Sequence, residues 1–149
     1  MFETPRPYAP HGHHRSLSTL CQVLLGLGLA TLQPTSGTAA IEVGDVAGVR
    51  VAGVLVQAGA AASDVLIEWG TAGGAFAGDA SDPGALSDVY VRVGGPFRTY
   101  TAARTMLRIN AAHVVGDNLW LWRADHTVGG EVYGGADSIN PCEVMAISR

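Results

Sequence analysis

The segment 114–126 concentrates the side chains that could bind or act on a ligand. It contains two of the three tryptophans and four ionisable side chains: Trp120, Trp122, Asp117, Arg123, Asp125 and His126. In an extended strand, successive side chains point to opposite faces. One predicted face carries Asp117, Leu119, Leu121, Arg123 and Asp125. The opposite predicted face carries Asn118, Trp120, Trp122, Ala124 and His126.

The tryptophan pair is the first candidate for ligand binding. Two tryptophans on one strand face are expected to form a flat aromatic strip about 7 Å long. Such a strip is suited to stacking on sugar rings, and we predict that Trp120, Trp122, Arg123 and His126 bind a polysaccharide substrate. In the alternative, the tryptophans belong to the core and the leucines of the other face fill a second packed layer.

The carboxylates are the candidates for catalysis. Glycoside hydrolysis uses two carboxyl groups, about 5–5.5 Å apart for retention or 6.5–9.5 Å apart for inversion. Asp117 and Asp125 would be about 26 Å apart along one unbroken strand, which is too far for a single site. Each needs a partner from a neighbouring strand, such as Glu68 or Asp88. The candidate catalytic residues are therefore Asp117, Asp125 and Glu68, and the alternative is that these acids are turn and loop residues.

Short strands must position these side chains, since no long segment after residue 40 has helical periodicity. We predict strands at 49–57, 64–69, 86–93, 105–111, 118–125 and 143–147. Several repeat one pattern: a polar residue, three or four mostly apolar residues, a polar residue and a small one. This pattern is typical of a β-solenoid. A β-sandwich needs about seven strands and is the alternative, which irregular spacing and long Gly/Asp loops disfavour.

Residues 1–40 have the pattern of a signal peptide or disordered leader. A polar start is followed by an apolar run at 20–32 and by a small, turn-rich stretch that ends at Ala40. The apolar run is too short to span a membrane, which takes about 20 residues. We predict cleavage after Ala40, secretion of residues 41–149 as one domain, and no membrane contact after cleavage.

Charge and motifs exclude several function classes. The net charge is −4 and no basic patch is present, so nucleic-acid binding has no electrostatic support. Neither a phosphate-binding glycine loop nor a Gly-x-Ser-x-Gly motif occurs, and we predict no cofactor. Asp79, Asp82 and Asp88 are near one another, but their spacing is not diagnostic of a calcium site, and we predict no metal site. Arg92, Arg108 or Arg123 could serve a polysaccharide lyase, but the net negative charge of the chain disfavours an anionic substrate.

Three segments carry a resemblance to a known family: VLIEWG at 65–70, GDASDPGALSDVYVRVGGP at 78–96 and VVGDNLWLWRADH at 114–126. They resemble secreted proteins of the pectate-lyase-like superfamily, which are right-handed parallel β-helices related to exo-β-1,3-glucanases and often carry a discoidin-type carbohydrate-binding module. The resemblance covers about residues 49–126. It implies an all-β, partial right-handed parallel β-helix that acts on β-glucan or another polysaccharide.

Such proteins run to several hundred residues, so the chain resembles an N-terminal fragment. The catalytic acid of the family lies in later turns, and no catalytic residue is carried over. We predict a secreted carbohydrate-active β-helix fragment, of the glycoside hydrolase type if it is an enzyme, and inactive in isolation. The competing prediction is a non-catalytic glycan-binding or structural remnant. The third prediction is an adhesion β-sandwich, which antiparallel strands would support.

Overall fold

The computed structural model describes residues 15–18, 22–95, 101–127 and 143–147. These residues form strands joined by turns, and within them no helix is long and apolar enough to cross a membrane. The strands are β1 (Arg15–Leu17), β2 (Val23–Leu25), β3 (Thr31–Leu32), β4 (Ile41–Val43), β5 (Arg50–Ala52), β6 (Leu55–Gln57), β7 (Ser63–Trp69), β8 (Gly84–Gly95), β9 (Ala103–Ile109), β10 (Val114–Thr127) and β11 (Glu143–Ile147).

The strands form two parallel sheets along which the chain winds. The first sheet has the order β1-β4-β7-β9-β11. In the second sheet β2 pairs with β5 and β3 pairs with β6, then β5 and β6 both pair with the long β8, and β8 pairs with β10. Every described pair is parallel. This arrangement confirms the predicted parallel β-helix and contradicts the β-sandwich alternative.

Each turn of chain, or rung, adds one layer to both sheets. The first rung contains β1–β3, the second β4–β6, the third β7 and β8, and the fourth β9 and β10. Aliphatic side chains stack between rungs, as in the ladder Ile41–Ile67–Leu107, whose members are at most 1% exposed. Burial of each such side chain contributes about 1.5–3 kcal/mol, so the ladders hold the rungs together.

Three strands of the structure lie within residues 1–40, the segment predicted to be a leader. β1–β3 lie within the predicted leader, yet they pair with β4–β6 and form the first rung. Leu17 and Ala40 are buried, and Leu24 packs against the core while Val23 and Leu25 are 65% and 60% exposed. An apolar run is therefore compatible with alternating strands as well as with a leader, and export itself stays a prediction.

A sharp corner divides β8 and β10. Asp88 and Asn118 each have φ of 51°, in the left-handed region that asparagine and aspartate adopt more readily than other non-glycine residues. Leu86 and Val89 lie on either side of the β8 corner, three positions apart, and both point into the core. The prediction of unbroken alternation from Asp117 onward is therefore wrong, because the corner at Asn118 shifts the faces by one residue.

Candidate glycan-binding surface

The strand β10 directs its leucines inward and its tryptophans outward. Leu119 and Leu121 pack against the hydrophobic core. Trp120 is 65% exposed, and Trp122 is half-buried. The alternative that placed the tryptophan pair in the core is therefore wrong, and the aromatic side chains are accessible at the surface.

Tyr90 joins the two tryptophans to form an aromatic cluster. Tyr90 lies on β8 directly opposite Trp120, and their ring centroids are 5.0 Å apart with planes tilted by 38°. The Tyr90 and Trp122 rings are stacked with centroids 6.5 Å apart. Trp120 and Trp122 are also 6.5 Å apart, but their planes differ by 39°. The predicted strip has the expected length but is not flat, and Trp120 is its most exposed ring.

A hydrogen bond between Arg92 and the buried Gln57 supports the aromatic cluster. The guanidinium carbon of Arg92 lies 5.6 Å from the centroid of the Tyr90 ring, a cation–π contact worth about 0.5–1 kcal/mol. The Nε of Arg92 donates to the side-chain oxygen of Gln57. Gln57 is fully buried and donates to the carbonyl oxygen of Gly94 at 3.2 Å. Arg92 is thereby fixed beside Tyr90, which limits the motion of the cluster.

The corner residues place polar groups next to the aromatic rings. The side-chain amide of Asn118 donates to Oδ1 of Asp88, 2.5 Å away, and both side chains are exposed. Asp88 comes two positions before Tyr90, and Asn118 comes two positions before Trp120. A hollow of about 240 Å³ lies beside this corner, lined among others by Leu29, Leu55, Asp88 and Tyr90.

The structure separates the predicted catalytic carboxylates. Glu68 lies on β7 in the first sheet, whereas Asp117 is exposed on β10 in the second sheet, opposite Ser87. Arg123 is exposed on β10. The backbones of Asp125 and His126 also belong to β10, but their side chains lie outside the described part of the structure. The structure does not bring Glu68 and Asp117 together, and the assigned roles of all these residues stay predictions.

The first sheet carries a row of charged side chains around Glu68. Glu68 is opposite Glu42 on one side and Arg108 on the other. It accepts hydrogen bonds from Arg108 at 3.5 Å and from the amide of Asn110 at 3.3 Å. Glu42 and Glu68 also line a hollow of about 330 Å³. The acidic neighbour that the fold gives to Glu68 is therefore Glu42, which sequence reasoning did not select.

The acidic neighbours of Arg108 in this row favour its charged form. Its partial burial disfavours the charged form, but the hydrogen bond and negative charge of Asp64, supported by Glu68, outweigh that effect and raise the pKa of Arg108. The Arg108 to Asp64 distance is 3.0 Å. Within the described ranges, no three His, Cys, Asp or Glu side chains are grouped so that they could hold a metal ion.

Tyr90 and Glu42 are the site residues that sequence reasoning missed, and Asp88 was considered only as a possible carboxylate partner of Asp117 or Asp125. Each reaches its neighbour across rungs. For Tyr90 and Asp88 the available signal was the similarity of 88–92 and 118–122, because aligning these segments puts Asp88 opposite Asn118 and Tyr90 opposite Trp120.

The chain is similar to proteins of a known family. The family model described as the LAM55 pectate lyase-like domain matches residues 14–143. An exo-beta-1,3-glucanase from Streptomyces sp. (strain SirexAA-E / ActE) is 47% identical over 109 residues, which are 72% of this chain and 17% of that protein.

Two solved structures are also similar. The structure of sacteLam55A from Streptomyces sp. SirexAA-E has 43% identity and a TM-score of 0.67, over 75% of this chain and 20% of that one. A variant of sacteLam55A in complex with glucose has 37% identity and a TM-score of 0.70, over 89% and 24%. The chain thus spans about a fifth of the length of these relatives. These matches confirm the resemblance predicted from the sequence, and the chain belongs to the LAM55 pectate lyase-like domain family.

Proposed function

We propose that this protein binds a β-1,3-glucan on its aromatic cluster, as the carbohydrate-binding part of a glucan-degrading β-helix. The observation that carries the proposal is the exposure of Trp120 on strand β10, with the tilted ring of Tyr90 in contact with it. Homology to an exo-beta-1,3-glucanase, and the glucose complex of a related structure, support a glucan as the ligand class.

The geometry of the cluster suits a neutral sugar. The apolar face of a pyranose ring can cover the exposed part of Trp120, while its hydroxyl groups remain at the polar rim formed by Asp88 and Asn118. Because Arg92 and Gln57 already fix the neighbouring Tyr90, little side-chain freedom is lost on binding. Covering on the order of 100 Å² of tryptophan surface corresponds to about 2.5 kcal/mol at about 25 cal/mol per Å², as an upper estimate.

Calorimetric titration with a laminarin hexasaccharide tests the binding role. We expect Trp120→Ala to weaken binding by at least about tenfold, since about 1.4 kcal/mol corresponds to a factor of ten. Val115→Ala is the matched control, because Val115 is a 51% exposed apolar residue of the same strand outside the cluster. Unchanged affinity of Trp120→Ala, with a circular dichroism spectrum like that of the parent, would refute the proposal.

Hydrolysis by this chain is the second candidate function. The observation that favours it is the stacking of Glu42 on Glu68, since neighbouring strands are about 4.8 Å apart and two carboxyls about 5–5.5 Å apart can act in a retaining mechanism. Release of reducing sugar from laminarin, lost in Glu68→Gln but kept in Asp117→Asn, would support this assignment. Loss in Asp117→Asn alone would instead favour the carboxylates of β10. No release by the parent protein would leave binding as the function.

Export is proposed on the pattern of residues 1–40 alone. Cleavage after Ala40 would remove β1–β3, which cover one edge of β4–β6, so cleavage at that position and the first rung exclude each other. N-terminal sequencing of protein recovered from the culture medium distinguishes the two outcomes. A start at Ile41 supports the leader, and a start before Arg15 supports a retained first rung.

A further inference from the structure

We infer that the hollow beside Tyr90 is a second sugar-binding position, in which Asp88 accepts hydrogen bonds from the hydroxyl groups of a glucan chain. This inference rests on the proposed function, because the same glucan chain would stack on Trp120. It adds a direction to that proposal: the ligand crosses the rungs instead of following strand β10.

A ladder of outward-facing side chains defines that direction. Thr31 is opposite Leu55, Leu55 is opposite Tyr90, and Tyr90 is opposite Trp120. With about 4.8 Å between neighbouring strands, three steps span about 14 Å. That length accommodates more than one sugar ring. By contrast, Trp120 and Trp122 on β10 offer only 6.5 Å between ring centroids.

The hollow is continuous with the aromatic cluster. Its volume is about 240 Å³, and Tyr90 both lines the hollow and contacts Trp120. Leu55 on β6 and Leu29, which is 91% exposed, form its apolar lining. An apolar lining with a few placed polar groups is the usual composition of a small-molecule site.

Asp88 supplies the polar group. Asp88 is one of the residues that line the hollow, and its carboxylate accepts one hydrogen bond from Asn118, whereas an ionised carboxylate offers about four acceptor sites. Sugar hydroxyls are donors, and their bonds to a charged acceptor are stronger than bonds between neutral groups. The corner conformation of Asp88 and its bond to Asn118 hold the carboxylate in place before any ligand binds.

Chain-length dependence of binding tests the inference. We expect the parent protein to bind laminarin hexasaccharide more tightly than the disaccharide. Asp88→Gly should weaken hexasaccharide binding by about tenfold, the equivalent of one charge-assisted hydrogen bond, and leave disaccharide binding unchanged. Glycine suits this backbone, because Gly53 has φ of 65° at the corresponding corner of the rung before. Asp88→Asn keeps a neutral acceptor and should have a hexasaccharide affinity between those of the parent and Asp88→Gly.

A second pair of variants examines the apolar lining. Leu29→Ser should reduce hexasaccharide affinity, whereas Leu25→Ser should not, since Leu25 is an exposed leucine of the same rung that does not line the hollow. The inference is overturned if Asp88→Gly and Leu29→Ser bind the hexasaccharide like the parent while Trp120→Ala does not, and the proposed function then stands. If the folded parent binds neither sugar, the proposed function and the inference fail together.

Discussion

Gly84 should tolerate no side chain, because the ring of Trp69 occupies the space that a methyl group would need. A Cβ placed on Gly84 would overlap Cζ2 of Trp69 and lie 3.0 Å from Cε2. Trp69 is 1% exposed, so any shift of its ring would have to displace other buried side chains. The substitution Gly84→Ala therefore forces the tryptophan or the start of β8 out of position.

The cost of Gly84→Ala can be bounded by comparison with other overpacked cores. Adding one methyl group to a filled core costs about 1–3 kcal/mol. Gly44→Ala is a matched control at another strand end, because its Cβ would meet Ser18 at 3.5 Å, an ordinary contact distance. We expect this control to change the free energy of unfolding by less than about 0.5 kcal/mol.

Urea unfolding followed by circular dichroism measures both variants. A double-mutant cycle with Trp69→Phe adds a specific test, since the smaller ring should relieve part of the overlap and give a coupling of about 1 kcal/mol. A Gly84→Ala protein as stable as the parent, or one whose loss of stability is the same with and without Trp69→Phe, would refute the assigned contact.

Three further outcomes are expected. Arg108→Met should lower the free energy of unfolding by about 1 kcal/mol or less, because the acidic partners of Arg108, including Asp64, are partly exposed. This loss of stability, measured by urea unfolding, should be smaller in high salt. Ser81→Ala should raise the pKa of Asp79, measured by NMR titration, because the Ser81 hydroxyl is the main cause of its lowering. The stability from Asp79 is present above its ordinary pKa of 3.8 and is lost as pH falls through the lowered value. Asn118→Val should cost about 1–2 kcal/mol in a urea melt, since a β-branched residue is strained at φ of 51°, whereas Asn118→Gly should be tolerated.

The solenoid was predictable because its signal is local. Each short strand carries its own polar–apolar–polar–small string, and that string fixes which side chains enter the core once the chain winds. Residues 118–122 nevertheless left two possibilities, since Trp120 and Leu119 are both apolar and alternation alone cannot tell inside from outside. The stacking of Leu119 on Val89 and of Leu121 on Val91 settles the choice in the structure.

The first rung and the corner were not predictable from the same signal. Residues 23–25 are apolar and lie within a longer apolar run in which Gln22 is the nearest polar residue, and that composition serves a leader and a strand equally well. The corner at Asp88 and Asn118 carries no glycine, the usual sequence signal for positive φ. Strict alternation of faces therefore continues through Asn118 and wrongly places Asp117 on the same face as Leu119.

The geometry of a parallel stack explains why the candidate sites differ from the predicted ones. Along one strand the separation of two residues grows by about 3.3 Å per position, so Asp117 and Asp125 cannot share a site even though they are close in sequence. Across rungs the step is about 4.8 Å however many residues the intervening turn contains. Tyr90 and Trp120 are thirty positions apart and in contact for this reason. A binding surface in this fold is therefore assembled along the stacking direction, and only aligning successive rungs can identify its members from sequence.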